Sequence, residues 1–313
     1  MTDDPKADGE ADAGQASTRC GFVALIGAPN VGKSTLVNAL VGSKVTIVSR
    51  KVQTTRALIR GIMLENTAQI ILVDTPGIFS PKRRLDRAMV STAWSGAHDA
   101  DVVCVLLDAR QGIDEEADAI LTRLATVDHE KILVLNKIDL VPREKLLALA
   151  KAANERLTFV RTFMVSALSG DGVGDLRHTL AEMVPPGPFH YPEDQMSDAP
   201  MRHLAAEITR EKIFRQLHQE LPYQSTVETD SWTERKDESI RIEQTIFVER
   251  ESQRKIVLGK GGATIKSIGA EARKEIAEIV GVPVHLFLFV KVRENWGDDP
   301  DRYREMGLEF PRE

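Results

Sequence analysis

Eight consecutive residues, Gly27-Ala28-Pro29-Asn30-Val31-Gly32-Lys33-Ser34, constrain this chain more than any other stretch. They spell G-x-x-x-x-G-K-[ST] between an apolar run at 22–26 and a segment at 35–41 in which Leu36 and Leu40 lie one turn apart. The run reads as a buried strand and the segment as a helix, so the loop lies where a phosphate-binding loop must lie. Gly27 and Gly32 open backbone conformations closed to residues with a Cβ. The loop amides can then turn inward on a polyphosphate, and the following helix N-terminus adds partial positive charge. Lys33 supplies a full charge for the β- and γ-phosphates, and Ser34, followed by Thr35, offers a hydroxyl to Mg2+.

The rest of the chain falls into order around this loop. At 313 residues there is room for about two domains. Hydrophobic content of 42% with 28% charged residues predicts a soluble globular protein, and a net charge of −6 means that any nucleic-acid face must be local. Cys20 and Cys104 make no metal or redox motif and read as small buried residues in a reducing cytosol. No apolar run approaches 18 residues, and the acidic N-terminus lacks a signal-peptide pattern, so the expected location is cytoplasmic. Residues 1–18 read as a disordered acidic tail. From 19 to 184, strands at 21–26, 57–64, 68–73, 101–107, 131–136 and 159–165 alternate with helices at 33–42, 83–97, 114–126, 143–155 and 173–183. Apolar runs without alternation at 101–107 and 131–136 mark parallel strands covered on both faces. The expected fold is therefore α/β: a mixed, mainly parallel sheet with helices on both faces. Five prolines in 185–200 make a linker. A second, α+β domain follows at 201–294 in the order α-β-β-α-α-β, and 295–313 read as a charged, loosely ordered C-terminal tail.

Further motifs fall at strand ends. Asp74-Thr75-Pro76-Gly77 closes the strand 68–73, about 40 residues after the phosphate loop. Its carboxylate can hold Mg2+ and the Gly77 amide can sense a γ-phosphate. Asn136-Lys137-Ile138-Asp139 closes the strand 131–136. Asp139 can accept two hydrogen bonds from guanine that adenine cannot give, Lys137 can lie over the purine, and Asn136 can tie this loop to the phosphate loop. Ser166-Ala167-Leu168 can close the base pocket with backbone donors. In the loop 43–56 either Thr54 or Thr55 can complete the Mg2+ shell with Ser34 and Asp74, with Thr55 slightly preferred. In the second domain, Gly259-Lys260-Gly261-Gly262 looks like the G-x-x-G of a KH domain (type II from the element order), which grips about four nucleotides of single-stranded RNA. Lys255, Lys266 and Arg273 add charge around it, while Ile256 and Ile265 offer groove walls.

In this order, GAPNVGKS, QTTR, DTPG, NKID and SAL resemble a translation-factor-type P-loop GTPase. With IVLGKGGATIKSIGAEAR they resemble the Era family of bacterial GTPases over nearly the whole length. The resemblance implies slow hydrolysis of GTP to GDP. Ile78, directly after Gly77, is apolar where other switch GTPases carry a water-orienting glutamine. Asn30 matches the asparagine that binds K+ in cation-activated relatives, and a loop-shaping hydrogen bond is its other reading. The resemblance also implies binding to 16S ribosomal RNA near its 3′ end, a part in 30S subunit assembly, and peripheral contact with the inner membrane. Two alternatives stay open: a small-molecule kinase or ATPase, and a membrane-associated signalling GTPase whose KH-like domain binds a protein.

Overall fold

In the computed structural model, nine strands and eight α-helices follow the expected order among the described residues, which are 18–311 other than 52–53, 295, 297–298, 301–302 and 304–305. The acidic tail expected at 1–18 lies almost wholly outside them. Thr18, its one described residue, donates its hydroxyl to Gly187 O at 2.9 Å.

Strands β1 (Arg19–Ile26), β2 (Ile59–Glu65), β3 (Ala68–Asp74), β4 (Val102–Asp108), β5 (Glu130–Asn136) and β6 (Arg161–Val165) form one sheet in the order β2-β3-β1-β4-β5-β6. All neighbours are parallel except β2 and β3, an antiparallel pair turned at Asn66, whose φ is 54°. Every residue of β3 and β4 is buried, as the unbroken apolar run of β4 requires, and in β3 this includes the polar Gln69 and Asp74. The helices are α1 (Lys33–Val41), α2 (Arg84–His98), α3 (Glu115–Leu124), α4 (Arg143–Asn154) and α5 (Val173–Met183). The chain steps one way from β1 to β3 and the other way from β3 to β6. Right-handed crossovers therefore place α1 on one face and α2, α3 and α4 on the opposite face. The order reverses beside β1, so the crevice at its carboxyl end is where a ligand belongs.

The second unit stacks α6 (Met201–Gln216), α7 (Glu251–Leu258) and α8 (Ala263–Val280) on a sheet of β7 (Ser225–Glu234), β8 (Ile240–Val248) and β9 (Val284–Val292). β7 and β8 are antiparallel, with a bulge between Thr229 and Ser231, and β8 and β9 are parallel. Helix α6 stops four residues before the expected end at 220. It buries Leu204, Ile208 and Ile213 as expected, and also the charged Arg210, Glu211 and Lys212.

Two connecting segments are more firmly held than their composition suggests. The proline-rich linker lies along the first sheet: Ile62 N donates to Met196 O at 2.8 Å, Arg60 pairs with Asp198 at 2.8 Å, and the Gln69 amide takes His190 N and Tyr191 N. Described residues of the C-terminal segment are packed as well. Tyr303 and Leu308 are buried against Ala88 and Met89 of α2, and Arg84 lies over the Phe310 ring. No helix among the described residues is long and apolar enough to cross a membrane.

Candidate nucleotide pocket and nucleic-acid groove

At the carboxyl ends of β1, β3, β4, β5 and β6 opens a cavity of about 710 Å3, within the range of ~300–1,000 Å3 usual for small-molecule sites. The phosphate loop builds its floor. Gly32 sits at φ 102°, and a Cβ there would meet Asn136 Nδ2 at 2.2 Å. Gly77 approaches just as closely from the other side: a Cβ would lie 2.8 Å from Pro29 Cα. Lys33 is 6% exposed and turns back to donate to Gly27 O and Ala28 O, both at 3.0 Å. Burial pushes its ammonium down to about 8, against the pull of Asp74. In this arrangement Lys33 is a charge held on two carbonyls that a phosphate oxygen can replace.

Three oxygen groups converge behind the loop. Ser34 Oγ lies 2.9 Å from Thr55 Oγ1, and Thr55 Oγ1 is 3.4 Å from Asp74 Oδ2. Thr54 turns away, bonding Ser49 Oγ and Lys51 O at 2.8 Å each. Asp74 is fully buried, and burial pushes its carboxyl up against the contacts from Ser34, Lys33, Thr46 and Thr55. Its Oδ1 has no hydrogen-bond partner among the described residues, a costly state for a buried carboxylate oxygen. Thr46, which sequence reasoning passed over, donates to Asp74 Oδ2 at 2.8 Å. The amide of Asn38 sets that segment by bonding Val45 N, Thr46 N and Thr46 O.

At the other end, Asn136 ties three loops together. Its Nδ2 donates to Val31 O at 2.8 Å, and its Oδ1 accepts from Lys137 N and Ala167 N. Asp139, Lys137 and Leu168 line the cavity. Lys137, at φ 65°, reaches Asn30 O and pairs with Asp108 at 2.7 Å. Asp108 carried no sequence signal. Burial alone would raise its carboxyl, but Lys137 and Arg110 bring it below the usual range. At 166–168, expected to close the base pocket with backbone donors, Ser166 N goes to Asp171 O and Ala167 N to Asn136 Oδ1. Leu168 N is left without such a bond among the described residues. Asn30 Nδ2 donates to Arg50 O at 3.1 Å, a loop-shaping bond, one of the two readings of this residue. Of the remaining expected residues, Gly27, Ala28 and Val31 line a side cavity under the loop, and Ile78 N bonds Gly27 O. Thr75 Oγ1 bonds Leu25 O at 2.6 Å, whereas Pro76 and Ile138 do not line the cavity.

One wall of the cavity belongs to a loop that is also fastened to the second unit. Val48 N donates to Glu211 Oε1 at 3.0 Å, and Lys44 pairs with Glu211 at 2.7 Å and with Glu275. Lys51 reaches Leu217 O, and Arg210 reaches Thr54 O. Arg56, also buried, donates to the carbonyls of Pro222, Tyr223 and Ser225. Ile47 lines the nucleotide cavity and is fully buried in the cluster formed by Leu204, Ile208, Ile242 and Ile276.

The groove of the second unit is built differently. Gly259, Gly261 and Gly262 all have positive φ (72°, 60° and 80°), and a Cβ on Gly259 would strike Thr264 Oγ1 at 2.2 Å. Val257 and Ile268 anchor α7 and α8 in the core, while Ile256 is 56% exposed and Lys255, Lys260, Lys266 and Arg273 are exposed. Ile265 is half-buried. The result is an apolar strip beside a glycine turn flanked by cations, suited to a sugar-phosphate backbone with its bases turned inward.

Comparison with known proteins finds a match in each unit. The "50S ribosome-binding GTPase" family profile matches residues 22–137, and the "KH domain" profile matches residues 220–297. GTPase Era of Bradyrhizobium sp. (strain ORS 278) is 86% identical over 97% of this chain and 99% of its own length. GTPase Era of Brucella suis is 67% identical over 97% of both chains. A crystal structure of Era with MgGDPNP and nucleotides 1506–1542 of 16S ribosomal RNA superposes with a TM-score of 0.87 at 37% identity, covering 93% of this chain and 99% of that one. These likenesses span both units, and so the chain belongs to the Era family of GTPases, a GTP-hydrolysing domain joined to a KH domain.

Proposed function

We propose that this chain is a nucleotide-gated RNA clamp. It takes GTP in the 710 Å3 cavity and single-stranded RNA from the 3′ end of 16S ribosomal RNA in the groove at 259–262, and it acts in assembly of the 30S subunit. The observation that carries the reading is the shared loop at 44–56. Its residues line the nucleotide cavity and at the same time hold Glu211, Leu217 and Ser225 of the KH unit. Whatever orders that loop alters how the KH unit is held. The Era relative solved with MgGDPNP and the 16S fragment supports both ligands.

In this reading Lys33 exchanges its two carbonyl partners for β- and γ-phosphate oxygens, and the loop amides close on the phosphates. Ser34, Thr55 and Asp74 hold Mg2+. The partnerless Asp74 Oδ1 is the feature that fits a hydrated cation, and the ion when bound offsets phosphate charge. Asp139 takes the guanine N1–H and amino group, Lys137 covers the ring, and Leu168 N–H faces the base. The buried Ile78 side chain cannot orient a water, which makes intrinsic hydrolysis slow. A K+ on the Asn30 amide oxygen would supply positive charge there; the bond from Asn30 Nδ2 to Arg50 O fixes that amide's orientation.

The test is Asp139→Asn. It is expected to move preference from guanine to xanthine nucleotides, with GTP affinity falling ~10²–10⁴-fold for two charge-assisted bonds at ~1.5–3 kcal/mol each. A variant that keeps the wild-type preference for guanine would remove the pocket assignment. The coupling has its own check: linkage requires RNA to change GTP affinity as much as GTP changes RNA affinity.

A further inference from the structure

A second cavity, of about 240 Å3, lies where the shared loop meets α6 and β7. It is lined by three guanidinium groups, of Arg56, Arg202 and Arg210, and by His203, against the two carboxylates of Glu207 and Glu228. Two of the guanidiniums are out of water: Arg210 is 1% exposed and Arg56 5%. Arg210 makes a two-point pair with Glu207 and gives one more bond to Thr54 O, yet its Nη1 has no hydrogen-bond partner among the described residues. The donors of Arg56 go to three neutral carbonyls, and Arg202 Nη2 goes to the carbonyls of Thr229 and Asp230. Three cations thus face two anions, and a charged donor is buried without an acceptor. Burial, and next the Arg210 charge, push the Arg56 guanidinium down to about 9, so it stays charged at neutral pH.

We propose that this seam cavity binds a phosphate-type oxyanion, bridging Arg210 of the KH unit and Arg56 of the loop that walls the nucleotide site. Guanidinium forks match tetrahedral oxyanions, and such charge-assisted bonds are the strong ones. At 240 Å3 the cavity falls below the ~300–1,000 Å3 of sites for larger ligands, which admits a phosphate group and excludes a whole nucleotide. The oxyanion could come free from solution or be carried on an RNA backbone; the chemistry is the same. Its position makes it a cross-link between the two units.

The full chain loaded with GDP is titrated with sodium phosphate against sodium chloride at matched ionic strength, and Tm is followed. Wild type should show a phosphate-specific rise that grows with log concentration above the dissociation constant. Arg210→Gln should abolish that increment. Arg202→Gln, at the more exposed rim, should weaken it several-fold while GTP hydrolysis stays at the wild-type rate. The nucleotide pocket is common to all three proteins, so the differences isolate the seam. Equal phosphate responses in all three, or none in wild type, would overturn the proposal. Repeating the titration with a saturating ten-nucleotide RNA separates the sources: loss of the increment assigns the anion to the RNA backbone, and persistence assigns it to free phosphate.

Discussion

The nucleotide cavity and the KH groove handle charge in opposite ways. In the cavity Lys33, Asp74, Asn136 and Ser166 are all buried, each in fixed bonds to backbone or neighbouring side chains, with Asp74 Oδ1 the exception. In the groove Lys255, Lys260, Lys266 and Arg273 stand in solvent around an exposed Ile256. The difference follows from ligand size. The phosphates of a small molecule are met by polar groups held out of water, where each unmet bond is expensive, whereas the base-reading Asp139 is exposed. A long polyanion is gripped by many exposed cations, each contributing a little and all screened by salt.

The sharpest way to break this contrast is to remove the buried charge. Lys33→Met should lower GTP turnover ~10²–10³-fold, the scale for losing one preorganised electrostatic contact, with RNA affinity in the absence of nucleotide unchanged. A pH series sharpens the result. The folded Lys33 ammonium lies near 8, below its ordinary 10.5, so GTP affinity should fall as pH rises through about 8. Between about 8 and 10.5 the unfolded chain binds the extra proton, so this group's penalty fades and the nucleotide-free protein gains stability with rising pH. Neither trend should survive in Lys33→Met.

A smaller effect is expected at the exposed site. Gly261 has φ 60° and open space where a Cβ would go, so Gly261→Asp should fold while placing a carboxylate against the backbone of the strand. RNA affinity should drop about tenfold, in the range of one or two lost phosphate contacts, and the drop should shrink as salt is raised; GTP hydrolysis should not change. The smallest effect lies on the link between them. Glu211 is fully buried and takes Lys44, Val48 N, Lys212 and Arg215. Glu211→Gln keeps the shape and removes the charge. It should alter each ligand's own affinity little but reduce the ratio of GTP affinities with and without RNA by a few-fold, measured by equilibrium titration.

Much of this architecture is readable from local pattern. The phosphate loop, the strand-end motifs and the glycine turn are contiguous words whose residue types the chemistry demands, and the unbroken apolar strands give the parallel sheet. What pattern could not reveal is pairing across the chain. Thr46 and Asp108 are single polar residues with no motif around them, and their partners are Asp74 and Lys137. Arg210, Glu211 and Lys212 are charged, so residue type assigns them to solvent, although Glu211 lies on the line of Leu204 and Ile208. Arg210 and Glu211 are buried because the 44–56 loop, more than 150 residues earlier, covers them, and Lys212 pairs with Glu211 and with Glu275 of α8. The tail read as loose because its few apolar residues are scattered among charges, and nothing local announces the surface of α2 that receives Tyr303 and Leu308.

Ile47 draws one consequence from all this. A fully buried isoleucine contributes about 1.5–3 kcal/mol, and this one does so inside the cluster of the neighbouring unit. Severing the chain at the linker would therefore not yield two intact halves: the carboxy-terminal piece would carry a side-chain-sized void, and the amino-terminal piece a bare hydrocarbon knob beside its nucleotide. Heat should melt both units in a single joint transition, and drift at position 47 during evolution answers to two cores at once.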